Sequence, residues 1–153
     1  MGIFDKLFGK KDEKNNPVDN PVDKIGRAEE KYFESVTEIK DSDEALNILF
    51  NEAILATPET TSDHINKALQ SSWGYPGVVE GSLSEVKKTV LKNLKILEKR
   101  ERFDYFRVDV MKEQNCAQID AFYGLNSNSR YFEGIRIWKT KEKFYAWGSA
   151  KLQ

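Results

Sequence analysis

The chain has 153 residues, 39% of them hydrophobic and 32% charged, with a formal net charge of −1. These values suit one domain of ordinary size and exclude a wholly disordered chain or a strongly basic nucleic-acid binder. Cys116 is the single cysteine, which excludes an intramolecular disulfide and a cysteine-rich metal site and fits a reducing compartment.

Residues 1–11, Met-Gly-Ile-Phe-Asp-Lys-Leu-Phe-Gly-Lys-Lys, set Ile3, Phe4, Leu7 and Phe8 on one face of a helical turn pattern with lysines around them. This is the pattern of an amphipathic peptide suited to weak, reversible contact with a membrane surface or a partner groove, Lys6, Lys10 and Lys11 favouring anionic headgroups. It resembles short leader segments of bacterial cytosolic proteins and names no family. Residues 12–24 contain the tandem repeat Asn-Pro-Val-Asp, at 16–19 and again at 20–23, and read as a linker. Residues 25–153 are expected to form a single α+β domain.

In that domain Ile25, Ala28, Tyr32, Val36 and Ile39 recur at helical spacing and predict a first helix over 25–40. A second, apolar almost all round, is predicted from the acidic start at Asp41 to the stop at Thr57-Pro58. A short third helix restarts near Ser62, with Ile65, Ala68 and Leu69 inward. Ser82-Leu83-Ser84-Glu85 has the form of a capping box, and Leu83, Val86, Val90, Leu94 and Leu97 carry the stripe of a fourth helix over 83–101.

From Phe103 the apolar period falls from 3.6 to 2, and four strand-like runs follow, starting at Phe103, Cys116, Arg130 and Lys143. The connections between them are too short for crossover helices. The expectation is therefore about four helices packed on one face of a four-stranded antiparallel meander. Alternation puts Phe106, Val108, Val110, Ala117, Ile119, Ala121, Ile135, Ile137, Phe144 and Ala146 on one face, the core. The other face receives Tyr105, Arg107, Asp109, Gln118, Asp120, Phe132, Arg136, Trp138, Tyr145 and Trp147.

That second face mixes large rings with both signs of charge, the composition of recognition surfaces. Tyr105, Arg107, Phe132, Arg136, Trp138, Tyr145 and Trp147 are the candidate partner-binding residues; the competing reading is that these rings only stabilise the sheet by cross-strand pairing or sit beneath the N-terminal helices. Residues 25–63 carry three basic groups against ten acidic ones, and residues 64–102 eight against four, a segregation read mainly as internal complementarity. Lys88, Lys92, Lys95, Lys99 and Arg102 form a basic stripe read as a solvated helix face, so nucleic acid is not an expected partner.

Catalytic constellations are sparse. His64 is the single histidine, Cys116 has no dyad partner in the sequence, and no phosphate loop, dinucleotide glycine pattern, HExxH or calcium loop is present. Asp109 and Asp120, facing each other across a hairpin, are the one candidate carboxylate pair, for a small hydrolase or transferase that would also use Arg136. No cofactor or metal is expected. The sequence thus favours a non-enzymatic cytoplasmic interaction module that binds another protein through its aromatic and arginine face or its acidic segment, a toxin-neutralising immunity protein being one instance. A peripheral membrane adaptor tethered through residues 1–11 is the second reading, and the carboxylate enzyme the third.

Overall fold

The computed structural model describes residues 33–71 and 74–153. The amphipathic peptide with Ile3, Phe4, Leu7 and Phe8, the linker, and the first eight residues of the predicted first helix lie outside the described residues. The elements in chain order are β1 (Val36–Ile39), α1 (Ser42–Ile48), α2 (Ser62–Gln70), β2 (Val79–Gly81), α3 (Leu83–Glu98), β3 (Phe103–Met111), β4 (Cys116–Tyr123), β5 (Tyr131–Lys139) and β6 (Phe144–Gly148). The fold is α+β, with an antiparallel six-stranded sheet in the order β1-β3-β4-β5-β6-β2.

The meander β3-β4-β5-β6 matches the alternation in the sequence, and its register fixes both faces. Phe106, Val108, Ala117, Ile119, Ala121, Tyr123, Ile135, Ile137 and Ala146 share the inner face and join the main core. α1 supplies Ala45 and Leu46 to that core, and α3 supplies Val86, Val90, Leu94 and Leu97. Asp41 caps α1 by accepting from the Glu44 N–H at 2.9 Å. The chain then widens into a π turn, Leu49–Ala53, and tightens into a 3-10 turn, Ile54–Ala56. Leu49, Phe50, Ala53 and Ile54 are buried, as an all-round apolar run predicts, but Leu55 near its end is 58% exposed. Thr57, extended as a residue before proline must be, ends the run and donates its hydroxyl to Ile54 O at 2.7 Å.

The capping box of α3 is formed: Glu85 N donates to Ser82 Oγ at 3.2 Å and Ser82 N to Glu85 Oε1 at 2.9 Å. Its backbone and hydroxyl bonds to Ser82 hold the Glu85 carboxyl below the usual carboxylate range. At the other end of α3, Tyr123 Oη donates to Leu97 O at 2.7 Å and anchors the helix to the sheet; burial pushes the phenol up to about 12. Lys95 of α3 meets Asp43 of α1 at 3.3 Å, one exposed instance of the complementarity between the basic and acidic segments.

Three expectations need correction. Residues 36–39 are a strand, paired with β3 through Val36↔Val108 and Ile39↔Phe106, where a helix was predicted. Three of the four residues, Val36, Thr37 and Ile39, are β-branched, which favours the pleat. Glu38 takes a positive φ of 61° that bends this short edge strand between its two pairing points. The second unpredicted strand, β2, is only three residues long and pairs with β6 beside the start of α3. Third, the helices do not share one face. α1 and α3 cover the inner face, whereas α2 packs on the outer face, where Ile65 and Ala68 join Cys116, Trp138, Tyr145 and Trp147 in a separate small core.

Candidate functional site

The outer face of the sheet divides into a covered half and an open half. Over the covered half, α2 is held by backbone and side-chain bonds at its N-terminal end. Thr60 N donates to Lys139 O at 2.8 Å, and the Ser62 and Tyr145 hydroxyls lie 3.3 Å apart. His64 Nε2 and Trp138 Nε1 both donate to the carbonyl of Gln114, at 2.9 and 2.8 Å. Since a carbonyl only accepts, the His64 ring carries its proton on Nε2 here. The histidine is a strut between α2 and the β3–β4 turn.

Trp138, Tyr145 and Trp147, three of the sequence-predicted partner-binding residues, lie beneath this cover, none more than 9% exposed. Their rings fill a core and are not available at the surface. Trp147 also donates its indole N–H to Tyr75 O in the loop after α2. Cys116 lies in the same small core, and burial pushes its thiol up to about 12, which keeps it from acting as a nucleophile at neutral pH.

The open half spans β3, β4 and β5 in three registered rungs. The first is Tyr105↔Phe122↔Phe132, with ring centroids 5.3 and 5.6 Å apart. Phe132 at its end is 58% exposed. The second is Arg107↔Asp120↔Gly134, and the third Asp109↔Gln118↔Arg136, continued to Trp147 on β6. The first rung gives a row of rings, and the other two give a polar network behind it.

That network is closely connected. Arg107 Nε lies 2.8 Å from Asp109 Oδ2, an ion pair without the angle of a straight hydrogen bond, and Arg107 Nη2 is 4.0 Å from Asp120 Oδ2. Asp109 also accepts from the Ser35 hydroxyl. Arg136 Nε donates to Gln118 Oε1 at 2.8 Å, and Gln118 Nε2 donates to both oxygens of Asp120 at 3.0 Å. The two guanidinium groups lie on rings, Arg107 Cζ 5.4 Å from the centroid of Phe122 and Arg136 Cζ 5.5 Å from that of Trp147.

Asp120 is buried, and its burial raises the carboxyl above the usual carboxylate range against the opposing pull of Gln118, Arg107 and Arg136; the nearby Asp109 raises it further. Gly134 makes room for it, because a Cβ there would overlap Asp120 Oδ1. Asp109 and Asp120 lie on the same hairpin surface but do not face each other as expected: Asp109 stands opposite Gln118 and Asp120 opposite Arg107. Each is taken up by Arg107 or Gln118, and Asp120 is 2% exposed. Both carboxylates pair with Arg107 within the sheet.

Tyr105, Arg107, Phe132 and Arg136 are brought together on the open half. Phe122 and Gly134 complete it and were not among the sequence candidates. The period-2 series Gln118, Asp120 leads directly to Phe122, so that residue was within reach of the pattern. Gly134 carries no side-chain signal of its own; its role follows only from the register that sets it opposite Asp120. Among the described residues, no group of three or more histidine, cysteine, aspartate or glutamate side chains could hold a metal ion. No helix among them is long and apolar enough to cross a membrane. Comparison of the chain with family models, with curated proteins and with solved structures gave no match.

Proposed function

We propose that this protein is a non-enzymatic interaction module that binds another protein through the open half of its outer sheet face. The observation that carries the reading is Phe132: a large ring, 58% exposed, at the end of a registered aromatic row on the face that also carries Arg107 and Arg136. An exposed ring on an ordered strand offers contact area at small entropic cost, and aromatic residues with arginine supply most hot spots of protein interfaces. The reading is supported from the chemical side as well. His64 is engaged with a backbone carbonyl, the Cys116 thiol is buried, and Asp109 and Asp120 are paired. An unpaired buried cysteine accords with a reducing, cytoplasmic setting.

The test uses full-length protein as bait, followed by calorimetry with the purified partner. Phe132→Ala is expected to weaken binding at least tenfold, the effect of losing about 1.4 kcal/mol at a hot spot, with an unchanged melting profile. A partner whose affinity is indifferent to both Phe132→Ala and Arg107→Gln would remove the open half from the function.

A further inference from the structure

The open half has a polarity of charge that its near-neutral composition conceals. Side-chain exposure is 41% for Arg107, 15% for Asp109 and 2% for Asp120. The acids are sunk into the sheet and the guanidinium lies above them on the ring of Phe122, which stands between it and the exposed ring of Phe132. An approaching molecule therefore meets cation and aromatic surface first, with the carboxylates behind. The Arg107 head is also held in place before anything binds, by Asp109 at Nε and by the Phe122 ring beneath Cζ. A guanidinium fixed in this way loses little further freedom when its outer edge pairs with an acceptor.

We infer that the occupant of the open half is an acidic peptide segment of a partner protein, which sets a carboxylate against Arg107 and an apolar or aromatic side chain against Phe132. This inference rests on the proposed interaction function and adds the chemistry of the partner. A basic segment fits poorly, since the carboxylates it needs are behind the arginine. Single-stranded nucleic acid would use the ring row, but a phosphate backbone is tracked by several basic groups, and here Asp109 and Asp120 share the strip in a chain of net charge −1.

The experiment pans full-length protein against a displayed library of random twelve-residue peptides. Enriched peptides are then titrated by fluorescence anisotropy into wild type, Arg107→Gln, Arg107→Glu and Phe132→Ala, with an oligothymidylate of about the same length alongside. Thermal melts check that each variant is folded, and Arg107→Gln serves if the charge reversal unfolds the protein. The expected result is enrichment of Asp or Glu within two residues of an apolar or aromatic side chain, with affinity at least tenfold lower in Arg107→Gln and in Phe132→Ala. Enriched peptides that are basic or uncharged, yet depend on Phe132, would overturn the acidic-partner inference and leave the interaction reading standing. Binders indifferent to Phe132, or no enriched binder at all, would count against both. Oligothymidylate bound in a Phe132-dependent way, with no acidic peptide enriched, would replace the partner class with nucleic acid.

Discussion

The two halves of the outer sheet face are built from the same kinds of residue on the same strands, and they end in opposite environments. On one, Ile65 and Ala68 of α2 seal Trp138, Tyr145 and Trp147 into a small core. On the other, Tyr105, Phe122 and Phe132 form a row whose last ring is mostly exposed. The difference is decided by where α2 lands, and α2 is positioned by the Thr60 backbone bond to Lys139 and by the shared Gln114 carbonyl. Aromatic residues on a sheet face therefore carry two different meanings in this molecule. Under the helix they contribute stability, and beyond its edge they stand at the surface proposed above for recognition.

The comparison is broken most forcefully at the covered half. Trp138→Ala removes a fully buried indole and with it one of the two donors to Gln114 O, so it is expected to destabilise the protein by about 3–5 kcal/mol in urea denaturation. Phe132→Ala, the matching truncation on the open half, should fall within about 1 kcal/mol of wild type. Similar losses at both positions would mean that the two halves are one core and that the open surface is illusory. The thiol of Cys116 gives an independent reading of the same contrast. Because it lies under α2 with its pKa pushed up to about 12, it should resist alkylation in the folded protein and react once Trp138→Ala loosens the cover.

Much of this arrangement was legible in the chain. The meander, the assignment of residues to its two faces, and the helices that begin near Asp41, Ser62 and Ser82 all follow from apolar period and capping chemistry. The parts that were not legible have specific causes. Val36 and Ile39 fit a helical stripe continued from Ile25, and only their pairing with Val108 and Phe106 reveals a strand; tertiary pairing here overrides a local pattern of four residues. β2 is too short to generate a period at all. The face chosen by α2 is invisible to periodicity, because Ile65 and Ala68 define a sticky side without naming the surface it meets. For the same reason the sequence lists Trp138 and Phe132 as equivalent candidates, and packing separates them.

A finer division runs within the open half, between its ring row and the polar network behind it. Gly134→Ala is expected to cost about 1–3 kcal/mol, since the added methyl must displace Asp120 from the position that Gln118 holds. The loss should be much smaller in the Asp120→Ala background, where the space exists. Non-additivity of that kind, measured as a double-mutant cycle, would tie Gly134 to Asp120 rather than to strand propensity. Simple additivity would leave the glycine as a backbone requirement of β5.

The smallest expected effect concerns the charge on Asp120 and depends on pH. Its carboxyl is raised in the folded state, chiefly by burial, so the folded protein holds this proton more tightly than the unfolded chain does. As pH rises from the ordinary carboxylate range, near 3.9, to the raised value of the folded state, the unfolded chain releases the proton first, and Asp120 lowers stability across that window. Above the window the penalty is constant. Asp120→Asn removes it while keeping an acceptor for Gln118 Nε2, at the expense of the long ion pair to Arg107, whose side chain is 41% exposed and whose attraction is weakened by water. Urea titrations should therefore find the variant near wild type at the acid end of the window and more stable than wild type at neutral pH, by about 1 kcal/mol. A variant less stable at neutral pH would show that the ionised carboxylate is a net asset to the network. The sunken acids would then hold Arg107 in place at no cost in stability, and the open half would be as well consolidated behind its rings as the covered half is beneath α2.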